Sequence, residues 1–164
     1  MAMPQLEETS VRRACADDAD ALIALIREGD AHHQPFDTLA INQGESVEAD
    51  RGGIVQQMDD PRRYILVAVS GGMVVGLARC WIEDRPRSRL FAPLRMVIVT
   101  ELVISRTHRR MGIGAELMDA VRAHSEEIGA DRILLSYYDA NDGAGRFYEK
   151  LGYAPLMSTV VLDL

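Results

Sequence analysis

The sequence predicts a mixed α/β domain in which a central sheet of about six to seven strands is flanked by about four helices. Three observations lead to this prediction. β-branched apolar runs alternate along the chain with segments whose apolar residues recur at helical spacing. Glycines stand where several of these segments end. The 164 residues are enough to build one core, so we expect a single domain over residues 1–164.

The first third of the chain is predicted to contain one strand and two helices. The strand is expected at residues 9–14, and an amphipathic helix at residues 17–29, where Gly29 would end it. A polar, irregular stretch follows. A weaker helix is predicted near residues 46–58.

Three strands are predicted in the middle of the chain, at residues 64–69, 73–82 and 95–104. Ser-Gly-Gly at residues 70–72 is typical of a hairpin turn between the first two. The third strand is nearly all apolar and β-branched, as expected for a strand that is covered on both faces. An arginine- and proline-rich connection at residues 83–93 precedes it.

The last third of the chain alternates helices with strands. An amphipathic helix is predicted from Gly112, and Gly129 would end it. A strand at residues 132–138, a short helix at residues 141–152 and a closing strand at residues 156–164 complete the predicted sheet.

Composition and charge exclude several classes of function. The net charge of −7 argues against a general affinity for nucleic acid or for an anionic membrane surface. Cys15 and Cys80 form neither a zinc spacing nor a redox pair, and the four histidines suggest no metal site. With no apolar run long enough to span a membrane and no signal peptide, a cytoplasmic protein is expected.

A basic turn at residues 105–117 stands out in this acidic chain. Three arginines and a histidine surround Gly112 and Gly114, with no acidic residue between Leu102 and Ala115. The first amides of a helix lack intrahelical partners and carry partial positive charge, and glycine lets an anion approach them closely. A strand, a basic glycine turn and a helix together predict a phosphate-binding site.

Other interpretations of this turn are possible from the residues alone. One is a solvated basic turn with a glycine hinge. Another is a dinucleotide-binding loop, but Leu117 stands where the third glycine of G-x-G-x-x-G is required. The G-x-x-x-x-G-K pattern of a Walker loop does not occur in the sequence.

Two motifs of the chain resemble those of the GNAT N-acetyltransferase superfamily. "RRMGIG" is similar to its R/Q-x-x-G-x-G/A signature, with Arg109, Gly112 and Gly114 in place. "NDGAGRFYEKLGY" at residues 141–153 is similar to its N-x-x-A-x-x-F-Y-x-K-L-G-F/Y segment. The resemblance covers roughly residues 60–155.

This resemblance implies acetyl-CoA as co-substrate, bound by a core at about residues 96–152. The backbone of Leu102, Val103 and Ile104 would pair with pantetheine, and Asn141 would contact the cofactor from the other side. The turn would hold the pyrophosphate with the residues Arg109, Arg110, Met111, Gly112, Ile113, Gly114 and Ala115.

One catalytic residue is expected from the same resemblance, and a second from the burial of a lone carboxylate. Tyr148 would stabilise the departing thiolate; the alternative is an aromatic residue of the core. Glu101 would be the base, because a lone carboxylate in an apolar strand needs either a partner or a wet cleft. The alternative is a structural ion pair with Arg79 or Arg95, and some family members carry a catalytic acid one position earlier, where Thr100 stands here.

The predicted function is transfer of an acetyl group from acetyl-CoA to a primary amine of a small molecule or peptide. The acidic chain favours cationic acceptors. Homodimers are common in the family that the chain resembles, but the sequence does not locate an interface. His32 or His33 would bind substrate or relay protons, and the alternative is a surface histidine pair. Phe36, Trp81 and Phe91 are candidate pocket residues, and the alternative for them is core packing. The alternative function is a non-catalytic acyl-CoA-binding or regulatory module on the same scaffold.

Overall fold

The computed structural model describes residues 8–37 and 51–163, which contain five strands and four α-helices. In chain order these are β1 (Ser10–Arg13), α1 (Ala19–His33), α2 (Arg51–Asp59), β2 (Arg63–Ser70), β3 (Met73–Arg85), β4 (Leu94–Ile104), α3 (Ile113–Glu127), β5 (Arg132–Leu135) and α4 (Asp142–Lys150). Short 3-10 helices precede α1 and follow β4.

The strands form one sheet in the order β1-β2-β3-β4-β5. The first four run antiparallel to their neighbours, and β5 runs parallel to β4. Gly71 and Gly72 have φ angles of 55° and 78°, so the β2–β3 connection is the predicted two-residue hairpin turn with positive φ at both positions.

The sheet has a hydrophobic core on each face. The core under α1 and α2 includes Leu22, Ile26, Ile54, Val67, Leu77 and Val103, all buried. The core under α3 includes Tyr64, Ala78, Val97, Val99, Leu117 and Val121. Strands β2, β3 and β4 contribute to both cores, which explains their nearly continuous apolar sequences.

The prediction that Gly29 ends the first helix is wrong. Helix α1 continues to His33, and Gly29 lies buried in its interior. A Cβ on Gly29 would lie 2.8 Å from Cγ2 of Val103, so the glycine is needed for close packing of α1 on β4.

The described residues contain five strands instead of the predicted six to seven, and two differences from the prediction lie at the C-terminal end: a shorter β5 and a missing last strand. Strand β5 ends at Leu135, because Tyr137 and Tyr138 leave the sheet for ring contacts with Tyr148 and Phe36. Residues 156–163 form no strand, although their composition favours one, because strand propensity depends on context.

Other elements agree with the sequence in kind and differ in extent. Strand β3 runs to Arg85, three residues beyond its predicted end. Helix α2 begins at Arg51, while residues 46–50 of the predicted helix lie outside the described part of the chain.

Cys15 is exposed and Cys80 is buried, and both are free thiols. Among the described helices, none combines the length and hydrophobicity needed to cross a bilayer.

Candidate active site

Strands β4 and β5 separate part-way along their length. They pair from Met96 opposite Arg132 to Val99 opposite Leu135, where β5 ends. Strand β4 continues to Ile104, still paired with β3 on its other side. The last five residues of β4 therefore present an open edge, and backbone groups on that edge are available to a ligand.

A β-bulge on β4 lies where this open edge begins. Arg79 of β3 is opposite Glu101, and Cys80 is opposite Val99, so Thr100 is the extra residue. The Thr100 hydroxyl donates a hydrogen bond of 3.1 Å to the carbonyl oxygen of Arg79. The extra residue changes which face the following side chains occupy, since Val99 belongs to the core under α3 and Val103 to the core under α1.

The turn after β4 has the backbone shape of an anion-binding site. Arg110 has a φ angle of 66°, and it is the one non-glycine residue with positive φ in the described chain. Gly112 follows with φ 87° at the N-cap of α3, where no side chain caps the helix. Uncapped amides at a helix N-terminus, preceded by left-handed residues, form a concavity that suits a phosphate.

Glu28 of α1 holds this turn in place. Its Oε1 accepts a 2.6 Å hydrogen bond from the backbone N–H of Arg106 and lies 3.6 Å from a terminal guanidinium nitrogen of Arg109. Arg109 also donates from Nε to the carbonyl oxygen of Ile104 at 3.1 Å. Arg109 is thus partly committed to the turn itself, whereas Arg110 and Met111 are exposed. Sequence reasoning missed Glu28, because nothing in its helical segment marks a contact 78 positions away.

The two glycines of the turn serve different purposes. A Cβ on Gly114 would lie 3.2 Å from Cζ of Phe147 on α4, so this glycine allows the two helices to touch. A Cβ on Gly112 would meet nothing within 4 Å, and its requirement is the positive φ. Ile113 is buried in the core, so its possible contribution to a ligand is its backbone N–H.

Asn141 begins α4 as its N-cap. Its Oδ1 accepts a hydrogen bond of 3.2 Å from the N–H of Ala144, which satisfies one of the free amides of the first turn. The side-chain oxygen is therefore occupied, and the amide nitrogen is the part of Asn141 left for the predicted cofactor contact.

Tyr148 lies on α4 within a cluster of aromatic rings. Its ring centroid is 5.0 Å from that of Phe147, 5.7 Å from Tyr153 and 5.9 Å from Tyr137. Burial, with a smaller effect from Tyr153, raises the pKa of Tyr148 to about 12. Tyr148 is half-buried, so its ring packs in the cluster while its hydroxyl stays protonated.

Glu101 forms an ion pair with Arg79, one of the two arginines considered from sequence. Arg79 Nε lies 2.9 Å from Glu101 Oε2, and the two side chains are only 19% and 16% exposed. Arg95 instead pairs with Asp84 at 2.7 Å. Beside the Glu101 pair lies a small pocket of about 90 Å³, lined by Gln57, Arg63, Arg79, Cys80, Trp81 and Thr100.

A second aromatic group links the end of α1, which packs on β4, to the segment that follows β5. Phe36 stacks on Tyr138 with ring centroids 6.0 Å apart, and His32 meets Phe36 edge-on at 5.6 Å. Burial, followed by the positive charge of Arg109, lowers the pKa of His32. Of the other predicted pocket residues, Trp81 lines the small pocket, whereas Phe91 is exposed and stacks with an arginine of β3.

The sequence of the chain matches a known protein family. Residues 30–153 match the Acetyltransferase (GNAT) family, which is well over half of the chain. The chain belongs to the GNAT acetyltransferase family. The matched residues include the open edge of β4, the turn before α3 and Tyr148, whereas Glu28 lies just before them.

Curated relatives of this acetyltransferase-family chain include uncharacterized N-acetyltransferases of Mycobacterium bovis and Mycobacterium tuberculosis. Each is 33% identical over 98 residues, which is 60% of this chain and 57% of the relative. The chain therefore spans little more than half the length of the curated relatives that it matches.

Solved structures share the fold at low sequence identity. A mutant of a Bacillus halodurans protein superposes with a TM-score of 0.89 at 21% identity, over 94% of this chain and 99% of the other. An aminoglycoside N-acetyltransferase in complex with CoA has a TM-score of 0.74 at 12% identity, over 99% of each chain. An aminoglycoside acetyltransferase from a soil metagenomic sample has a TM-score of 0.75 at 18% identity, over 95% of each chain.

Proposed function

We propose that this GNAT-family protein is an acetyl-CoA-dependent N-acetyltransferase that transfers an acetyl group directly to a primary amine of a small molecule or peptide. The observation that supports this most is the continuity of the site. The open edge of β4 leads through Ile104 into the left-handed turn before α3, and Phe147, which precedes Tyr148 on α4, packs against Gly114 of this turn.

Each part of the co-substrate has a counterpart in this site. Pantetheine contains amide groups that would pair with the backbone of Leu102, Val103 and Ile104 as an added strand would. The pyrophosphate would accept hydrogen bonds from the amides between Gly112 and Ala115. Arg110 is exposed at the turn and would add a charge-assisted hydrogen bond.

The proposed reaction is a direct displacement. The neutral amine attacks the thioester carbonyl carbon, a C–N bond forms, and the C–S bond breaks with its electron pair leaving on sulfur. A backbone N–H near Val103 would stabilise the oxyanion that develops on the carbonyl oxygen. The nitrogen must then lose a proton to a base.

Tyr148 is proposed as the donor to the departing sulfur. Its pKa of about 12 keeps the hydroxyl protonated at neutral pH. Because an ordinary thiol has a pKa of about 8.5, complete proton transfer from Tyr148 to sulfur is unfavourable. Its role is therefore to stabilise the thiolate by donating a hydrogen bond.

Glu101 is proposed as the proton acceptor, with Arg79 holding its carboxylate in position. The residue lies on β4 between the bulge at Thr100 and the proposed oxyanion donor near Val103. His32 is the other candidate, since burial and neighbouring positive charge lower its pKa and favour the neutral imidazole.

The net charge of −7 supports a cationic acceptor, because the summed field of the protein attracts positive solutes. A non-catalytic acyl-CoA-binding module is the alternative function. That alternative gives no catalytic role to the Tyr148 hydroxyl.

Thiol release from acetyl-CoA with a panel of amines tests the proposal. We expect Tyr148→Phe to lower kcat by about a hundredfold while the dissociation constant for acetyl-CoA stays unchanged. Tyr137→Phe is the matched control, since it removes a neighbouring hydroxyl from a ring stacked on Tyr148. Equal turnover in the native protein and Tyr148→Phe would remove the residue from the mechanism, and acetyl-CoA binding without turnover on any amine would favour the binding module.

A further inference from the structure

The small pocket beside the Glu101–Arg79 ion pair lies where the open edge of β4 begins. Thr100, the bulge residue, lines it from β4, and Gln57 lines it from α2, so it is on the face of the sheet that α1 and α2 cover. Its volume of about 90 Å³ is smaller than the about 300–1,000 Å³ of a site that holds a whole small molecule. The pocket therefore suits one end of a ligand.

Two arginines, Arg63 and Arg79, line this pocket. Nε of Arg63 lies 3.3 Å from Oδ2 of Asp60, and Nε of Arg79 lies 2.9 Å from Oε2 of Glu101. A carboxylate thus contacts the Nε of each guanidinium and orients it, while terminal nitrogens are left to donate to a ligand. None of the described residues that line the pocket is acidic.

Two further lining side chains offer hydrogen-bond donors. Oε1 of Gln57 accepts from a terminal nitrogen of Arg79 at 3.4 Å, so the amide nitrogen of Gln57 remains as a donor. Trp81 carries an indole N–H, and the guanidinium carbon of Arg63 lies 4.8 Å from its ring centroid. Arg63 and Trp81 are also opposite each other on β2 and β3, which fixes this contact. A donor-rich, partly buried pocket of this kind is complementary to an oxyanion.

Given the acetyl transfer proposed above, on which this rests, we propose that the pocket binds a carboxylate group of the amine acceptor. The acceptor class is then an amino carboxylate. The net charge of −7 attracts the ammonium end of such a molecule, and the two arginines hold its other end. Charge of both signs in the protein therefore has a use in binding one zwitterionic substrate.

The position of the pocket sets the length of the acceptor. Thr100 lies three residues before Val103, near which the thioester carbonyl is proposed to bind. At about 3.3 Å per residue of a strand, the two positions are about 10 Å apart. The amine and the carboxylate of the acceptor must therefore be separated by several bonds, as in an ω-amino acid with a long methylene chain. Free glycine is too short to reach both positions.

Arg63 is the residue whose replacement tests the pocket most cleanly. Arg79 contacts Glu101, so its replacement would also disturb the proposed base. The carboxylate contact of Arg63 goes to Asp60, which has no proposed role in the reaction. Arg62 is the matched control, because it is the preceding residue and is exposed.

Two acceptors of equal length, ω-aminohexanoate and hexylamine, differ in the carboxylate. We expect kcat/KM to be about tenfold or more higher for ω-aminohexanoate, because hydrogen bonds to a charged group are strong. Arg63→Met should bring the two values together, and Arg62→Met should keep them apart. Equal values in the native protein overturn the carboxylate pocket and leave acetyl transfer standing. No turnover with these or any other primary amine overturns acetyl transfer itself, and the acceptor assignment with it.

Trp81 gives a second readout that needs neither acetyl-CoA nor turnover. It is the single tryptophan of the chain and lines the pocket, so its fluorescence reports on what binds there. Hexanoate should change the fluorescence saturably, hexylamine should not, and Arg63→Met should abolish the hexanoate response. No response to hexanoate overturns the proposal. Inorganic phosphate that binds as tightly as hexanoate would identify a site for a free anion, which also overturns it.

Discussion

Gly114 of α3 and Phe147 of α4 meet so closely that a Cβ on the glycine would lie 3.2 Å from Cζ of the ring. Two residues earlier, a Cβ on Gly112 would meet nothing within 4 Å, but the φ angle of this glycine is 87°. The turn therefore needs one glycine for packing between helices and the other for backbone conformation. These two requirements respond differently to substitution.

Alanine at each glycine should destabilise the protein by about 1–2 kcal/mol, because Gly114→Ala displaces Phe147 and Gly112→Ala places a Cβ in the left-handed region. Adding Phe147→Leu should recover part of the loss in Gly114→Ala and none in Gly112→Ala. Urea unfolding of the single and double variants measures this. Equal recovery for both glycines would show that the packing explanation is wrong.

Glu28→Ala should weaken acetyl-CoA binding without removing any residue proposed to contact it. The substitution deletes the 2.6 Å acceptor for the Arg106 N–H and the partner of Arg109. A hydrogen bond to a charged group contributes about 1.5–3 kcal/mol, so an increase in Kd of about tenfold is expected if half of it is lost. Titration calorimetry measures Kd, with Arg27→Ala as the exposed control on the same helix. An unchanged Kd in a folded Glu28→Ala protein would mean that the turn holds its shape unaided.

The identity of the base can be read from pH profiles of kcat/KM. If Glu101 accepts the proton, Glu101→Gln removes the acidic limb of the native profile, and His32→Gln keeps it. Because the pKa of His32 is lowered, its imidazole is neutral at any pH above the ordinary histidine pKa of about 6.5. Protonation of His32 would therefore limit the rate only below that pH. A Glu101→Gln profile that overlays the native one would transfer the role to His32 or to water.

Asp18 should make stability sensitive to acid. Arg12 donates to both carboxylate oxygens at 2.7 and 2.9 Å, and the Cys15 N–H donates at 2.8 Å. The Arg12 hydrogen bonds, aided by Cys15, lower the pKa of Asp18 from 3.8 to about 2. Because the pKa of Asp18 is lower in the folded than in the unfolded state, its ionised carboxylate stabilises the fold fully above the unfolded pKa. This stabilisation is lost as pH falls from about 4 toward about 2.

Asp18→Asn should accordingly lose about 2 kcal/mol of stability at pH 7 and show a flatter pH dependence between pH 4 and pH 2. Urea unfolding across this range provides the measurement, with Asp20→Asn as the exposed control. Parallel pH curves for the native protein and Asp18→Asn would contradict the assignment.

The sequence predicted the parts of this fold that depend on local pattern. The Gly71-Gly72 hairpin, the apolar strand β4 and the stop of α3 at Gly129 all follow from backbone preferences of neighbouring residues. Contacts distant in sequence were not predictable. Gly29 looks like a helix stop until Val103 is placed against it.

The same limit applies to the site. Motifs mark Arg109, Gly112 and Tyr148 as candidates, and of the two ion pairs that the sequence allows for Glu101 the structure has the one with Arg79. Glu28 carries no motif and was missed. The strand expected at residues 156–164 has the right composition, but residues 156–163 form none, because strand propensity depends on context that local composition does not determine.

Binding of acetyl-CoA is the central claim, and thermal unfolding tests it most directly. At a ligand concentration of about one hundred times Kd, linkage predicts about 2.7 kcal/mol of stabilisation, or an increase in Tm of about 5–10 °C for a chain of this size. The shift should be much smaller for Gly112→Val. No shift with acetyl-CoA or with longer acyl-CoA esters would contradict the proposed site, even though the chain has the family's fold.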